Sequence, residues 1–65
     1  MSSPTIPSVV ALIEDALTNM KEAKHREFYS GSAFALLVVL DSFDCDESFD
    51  LHAKLTARYI ELCDV

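Results

Sequence analysis

Residues 33–40, AFALLVVL, form the most hydrophobic stretch of this 65-residue sequence. In an α-helix, eight consecutive apolar residues point in every direction round the axis, so such a segment has to be covered on all sides. A chain of this size has few other elements with which to cover it. The stretch therefore predicts a packed helical domain and favours association between chains.

The segment before this stretch has the pattern of an amphipathic helix. Pro7 suits a first helical turn, where its missing N–H is not needed. Residues 1–7 are expected to be a flexible tail, and residues 8–65 a single helical domain. After the tail, apolar residues recur at intervals of three and four, at Val9, Val10, Ile13, Ala16, Leu17, Met20 and Ala23.

This pattern predicts one long, mildly kinked helix over about residues 8–42. The single glycine, Gly31, costs only about 1 kcal/mol in a helix. The stripe formed by the apolar residues of the first segment continues through Gly31 to Phe34 and Val38. One alternative is a break at residues 30–32, which would let residues 8–28 fold back into a monomeric three-helix bundle. Another is a buried strand over residues 33–40, which would need partner strands from other chains.

A shorter second helix is predicted over about residues 46–63, after an acidic turn at residues 41–47. Asp44 and Glu47 have the spacing of a capping box. The apolar residues of the second helix span an arc of roughly 200°. One neighbouring helix covers only about 100°, so this helix is expected to have two neighbours.

In a single chain, the second helix would leave the apolar stripe of the first helix uncovered. Folding back from residue 44, the second helix reaches only to about residue 27. The expected fold is all-α: a helical hairpin with a long first helix, an acidic turn and a shorter second helix, dimerising into a helical bundle. The predicted dimer interface comprises Val10, Ile13, Leu17, Met20, Phe34 and Val38.

Composition and charge narrow the function classes. Apolar residues make up 51% of the chain, too many for a disordered protein. The formal charge of −6 disfavours nonspecific nucleic-acid binding and is compatible with a basic protein partner. We expect neither a signal peptide nor a membrane span, and a cytoplasmic location. Cys45 and Cys63 would lie about 27 Å apart on one helix, too far for a disulfide within the chain.

No residue pattern indicates catalysis, a cofactor or a metal. An EF-hand loop starting at Asp44 would need Gly in place of Phe49 and Glu in place of Leu55. His52 lies within the apolar arc, where we expect a core or interface histidine with Thr56 as a hydrogen-bond partner. Nucleophile elbows, phosphate-binding glycine loops and H-E-x-x-H motifs are also missing from the sequence. The chain is therefore predicted to be non-enzymatic.

A basic cluster and a short resemblance suggest contact surfaces. The basic cluster, a predicted partner-binding surface for an acidic protein or RNA, comprises Lys21, Lys24, His25 and Arg26. Residues 40–50, LDSFDCDESFD, resemble the interhelical turn of the Rop family of plasmid copy-number proteins. This resemblance of eleven residues implies an acidic helical-hairpin dimer that binds RNA.

The function predicted from these features is that of a small regulatory protein acting by protein–protein binding. It would be an adaptor, antiactivator or inhibitor of a larger protein, of the kind that phages and plasmids encode. Its expected partners are a second copy of itself and that larger protein. The alternative is a Rop-like RNA-binding hairpin dimer.

Overall fold

Three helices follow one another in the computed structural model, which describes residues 3–64. Helix α1 covers Ile6–Met20, α2 covers Ala23–Asp41 and α3 covers Asp46–Cys63, joined by turns of two and four residues. Within residues 3–64 there is no strand. The all-α prediction is therefore confirmed, and the alternative of a buried strand over residues 33–40 is wrong.

Helix α1 begins at Ile6, two residues earlier than expected, because a capping box closes its first turn. The hydroxyl of Thr5 accepts a hydrogen bond from the Ser8 backbone N–H at 3.4 Å. In return, Ser8 Oγ accepts one from the Thr5 backbone N–H at 3.1 Å. Pro7 lies inside this turn, where its missing N–H leaves no helical hydrogen bond unmade.

The expected single helix over residues 8–42 is wrong, because the chain reverses direction immediately after Met20. Lys21 keeps helical torsion angles, whereas Glu22 is extended, with φ −88° and ψ 123°. The Nε–H of Arg26 donates to the carbonyl oxygen of Met20 at 3.1 Å. That carbonyl belongs to the last turn of α1, whose acceptors have no partner within the helix. The guanidinium thus stabilises the reversal.

Burial of the α1 stripe explains why the chain reverses here. The stripe packs against α2 and α3 within the same chain instead of facing a second chain. A fully buried aliphatic side chain contributes about 1.5–3 kcal/mol, so several together outweigh the cost of interrupting a helix. The core residues are Val9, Ile13, Ala16, Leu17, Met20, Ala33, Leu37, Leu40 and Leu55.

Helix α2 runs without interruption through residues 30–32, so the alternative break at that point is also wrong. Its central stretch, residues 33–40, is nevertheless only partly covered. Ala33, Leu37 and Leu40 are buried, and Leu36 is half-buried. The other four residues of the stretch are exposed, so the chain leaves one side of its most apolar helix open to solvent.

Helix α3 is capped differently from the prediction. Its N-cap is Cys45, and Ser48 closes the first turn. Ser48 Oγ accepts from the Cys45 backbone N–H at 3.3 Å and donates to the Cys45 carbonyl oxygen at 2.9 Å. Asp44 has a left-handed φ of 54°, a conformation that Asp tolerates better than most residues. The predicted capping box of Asp44 and Glu47 is therefore wrong, because Asp44 is used to turn the chain.

The two cysteines lie at the start and the end of α3. Cys45 precedes the first helical residue, and Cys63 is the last. Both are free and exposed.

Gly31 allows a direct test of the exposed side of α2. A Cβ atom built at this position meets nothing within 4 Å, and its φ is not positive. Gly31→Ala should therefore raise the free energy of unfolding by about 1 kcal/mol, the difference in helix propensity. Urea denaturation measures this change. The matched variant is Ala35→Gly, one turn further along the same exposed side, which should lower stability by a similar amount. A loss of stability in Gly31→Ala would contradict the open position of this residue.

Candidate functional site

An apolar groove between α2 and α3 is the candidate functional site. It encloses about 190 Å³, and carbon atoms make up almost all of its surface. The groove is lined by Phe34, Leu37, Val38, His52, Thr56 and Tyr59. We refer to this cavity as the groove and to these six residues as its lining.

Helix α2 supplies one wall of the groove. Leu37 is buried and forms part of the hydrophobic core, so this wall rests on the core. Phe34 and Val38 lie on either side of Leu37 in sequence and form the exposed rim, with 60% and 56% of their surfaces in contact with solvent. Leu37 and Val38 follow Phe34 by three and four residues, so each of them lies next to Phe34 on the helix surface.

Helix α3 supplies the other wall, through three half-buried side chains. His52, Thr56 and Tyr59 are separated by four and three residues and therefore share one face of the helix. Burial, and after it the neighbouring Cys63 thiol, raise the pKa of Tyr59 above its ordinary value.

The hydroxyl of Thr56 does not pair with His52 as expected. Its Oγ1 atom is buried and has no hydrogen-bond partner among residues 3–64. A buried hydroxyl without a partner costs free energy, about 1–3 kcal/mol on mutational scales.

The size and lining of the groove favour recognition of an apolar side chain. Pockets for drug-sized molecules and cofactors usually measure about 300–1,000 Å³, which is larger than this groove. Its six residues offer one imidazole, one hydroxyl and one phenol as polar groups. Nowhere in the described chain do three His, Cys, Asp or Glu side chains come together in an arrangement that would hold a metal ion.

The structure separates the six residues that were predicted to form a dimer interface. Ile13, Leu17 and Met20 are fully buried in the core of their own chain, and Val10 is half-buried against it. The other two, Phe34 and Val38, are exposed on the groove rim. The uncovered stripe on which the dimer prediction rested is therefore filled within one chain.

The four basic residues of the predicted partner surface all lie in or beside the α1–α2 turn, and two of them make contacts within the chain. Arg26 is half-buried and donates to the Met20 carbonyl. His25 lies 3.6 Å from Glu22 and packs edge-on against Tyr29, with 6.1 Å between the ring centres. Lys21 and Lys24 are exposed at the same turn. Arg26 and His25 thus contribute contacts at the α1–α2 turn.

The sequence did not predict that His52, Thr56 and Tyr59 of α3 lie next to Phe34 and Val38 of α2. The available signal was the apolar arc of α3, which is wider than one neighbouring helix can cover. Phe49 and Ile60, within that arc, remain exposed in the structure. The prediction of two neighbours for α3 is confirmed, because α3 packs against both α1 and α2, and the rest of its apolar arc stays exposed.

No helix formed by the described residues combines the length and the hydrophobicity that a membrane span requires. Comparisons with protein-family models, curated proteins and solved structures found no match to this chain.

Proposed function

We propose that this chain is a small, non-enzymatic regulatory protein that binds a larger protein through the groove between α2 and α3. The observation that carries the proposal is the exposed apolar rim of the groove, Phe34 and Val38, beside a preformed cavity. As an adaptor, antiactivator or inhibitor, the chain would act by occupying a surface of its target.

The physical argument rests on the free energy of covering this surface. Burying apolar surface contributes about 25 cal/mol per Å², and aromatic side chains are prominent among the residues that dominate protein interfaces. The backbone of Phe34 is fixed by a continuous helix, so only the rotamers of its side chain lose freedom when a partner covers it. The groove beside it can accept a side chain from the partner.

Charge favours a protein partner over nucleic acid. The net charge of −6 repels phosphate groups, and Arg26 is engaged in the α1–α2 turn. RNA binding in the manner of the Rop family is therefore the alternative, and capture with and without nuclease distinguishes it from protein binding.

The proposal is tested by capture from lysate of the source organism with the tagged full-length chain, with and without nuclease. We expect one protein to be captured in near-equal amounts under both conditions. Val38→Asp, which places a carboxylate on the rim, should abolish capture. Val39→Asp is the matched control, because Val39 is the next residue and is exposed but does not line the groove.

Two results would overturn the proposal. Capture that disappears with nuclease would indicate RNA binding. Equal capture by wild type and Val38→Asp would show that the groove is not the contact surface.

A further inference from the structure

We infer that the groove receives an amphipathic helix with basic residues on both sides of its apolar anchor. This inference rests on the proposed function, because it specifies the chemistry of the protein segment that the groove would bind. It is carried by the distribution of charge around the groove.

Acidic side chains flank the groove along α2. Glu27 lies seven residues before Phe34, and Asp41 lies seven residues after it. Seven residues make nearly two helical turns, so these three side chains lie on one stripe with Phe34 in the middle. Both carboxylates are exposed, and neither forms an ion pair with another of the described residues.

Basic side chains are missing from this part of the chain. Residues 27–53 contain six acidic residues and no Lys or Arg. The nearest bases on α3 make other contacts: Lys54 pairs with Asp50 at 3.1 Å, and Arg58 lines a second groove together with Lys21. The six carboxylates of this range therefore outnumber the basic side chains at its two ends, Lys24, Arg26 and Lys54.

The spacing sets the length of the bound segment. The distance along α2 from Glu27 to Asp41 is about 21 Å at 1.5 Å per residue. A partner helix aligned with α2 needs about fourteen residues to reach both carboxylates. The anchor of the bound segment is the apolar residue that enters the groove. Because Glu27 and Asp41 are placed symmetrically about Phe34, the segment should carry Lys or Arg roughly seven residues before and after this anchor. The same spacing serves a partner helix that runs parallel or antiparallel to α2.

A second copy of the chain fits this surface poorly. Two copies pairing through the groove would bring Glu27 and Asp41 near the same acidic residues of the other copy. Like charges brought together at an interface disfavour association. The arrangement of charge thus distinguishes a basic partner from self-association, although both would cover the same apolar side chains.

The test is selection from a displayed library of random 18-residue peptides on the immobilised full-length chain. We expect enriched peptides to carry apolar residues at helical spacing and a net positive charge. One enriched peptide is then synthesised, and its affinity is measured by fluorescence anisotropy. The double variant Glu27→Lys plus Asp41→Lys should weaken its binding at least about tenfold. Raising the salt concentration should also weaken it.

The matched control reverses two exposed acids on α1, Glu14→Lys plus Asp15→Lys. It changes the net charge by the same amount and should alter affinity less than about twofold, because these acids are on another helix. Folding should tolerate the first double variant, since Glu27 and Asp41 are exposed. A lysine at position 41 also lies at the negative end of the α2 dipole.

Three results would overturn the inference. The first is a selection that enriches neutral or acidic peptides, or no peptide at all. The second is equal binding of the peptide by the wild type and by the Glu27→Lys plus Asp41→Lys variant. The third is a wild-type dimer in light scattering that Phe34→Asp converts to a monomer. The first two leave the proposed function standing if Val38→Asp still abolishes capture from lysate. The third would identify a second copy as the occupant of the groove.

Discussion

Leu17→Ala is expected to lower the free energy of unfolding by about 2–5 kcal/mol. Leu17 has no exposed surface and lies in the core formed by all three helices. A chain of this length has a total stability of roughly 3–10 kcal/mol, so the variant should lose a large share of it. Urea denaturation followed by circular dichroism measures the loss.

The matched control is Leu12→Ala, the same substitution on the same helix. Leu12 is 56% exposed, and its truncation should change stability by less than about 0.5 kcal/mol. The loss in Leu17→Ala should also be independent of protein concentration, because the side chain is buried within one chain. A loss that diminishes as concentration rises would show that a second chain covers Leu17.

Phe34→Ala should weaken binding of the captured partner by about 2 kcal/mol or more, which is about thirtyfold in the dissociation constant. The ring forms the exposed rim of the groove, so its removal eliminates contact area without opening the core. Alanine is also a better helix former than phenylalanine. Isothermal titration calorimetry gives the affinity, and the midpoint of urea denaturation should not fall.

Phe28→Ala is the control for the effect of removing an exposed aromatic ring from α2. Phe28 is 72% exposed but lies about 120° round the helix from Phe34 and does not line the groove. Its truncation should change the affinity less than threefold, about 0.6 kcal/mol. If both variants lost affinity equally, the whole exposed side of α2 would form the contact, and the groove would have no special role.

Local periodicity was sufficient to predict that these segments are helical, but not that α1 and α2 are separate helices. The spacing of Val9, Ile13 and Leu17 identified the buried side of α1, and the predicted bounds of α3 match Asp46–Cys63. The continuation of α2 past Gly31 was also predicted, because one glycine costs less than a helix gains from its neighbours. These features depend on residues close to one another in sequence.

The reversal at Lys21–Glu22 could not be predicted in the same way. Lysine and glutamate are both good helix formers, and neither Gly nor Pro marks the position. The turn exists because Met20 and the stripe before it gain more by packing on α2 than a straight helix would give. That gain depends on the whole arrangement of three helices, so a window of neighbouring residues does not contain it.

The same limitation applies to the groove. Phe34 and Val38 were predicted as contact residues from the stripe alone, although for a different partner surface. Their proximity to His52 and Tyr59 depends on how α3 packs against α2, and therefore on the turn in which Asp44 takes a left-handed conformation. The sequence identified the apolar residues but not which of them meet across two helices.

The short turns between the helices have a consequence for the speed of folding. With connections of two and four residues, helices adjacent in sequence pack against each other, and helical bundles with such local contacts fold in microseconds to milliseconds. A ribosome adds about 5–20 residues per second. The chain should therefore reach its folded form almost as soon as α3 emerges, and the rate of translation would set when the groove becomes available.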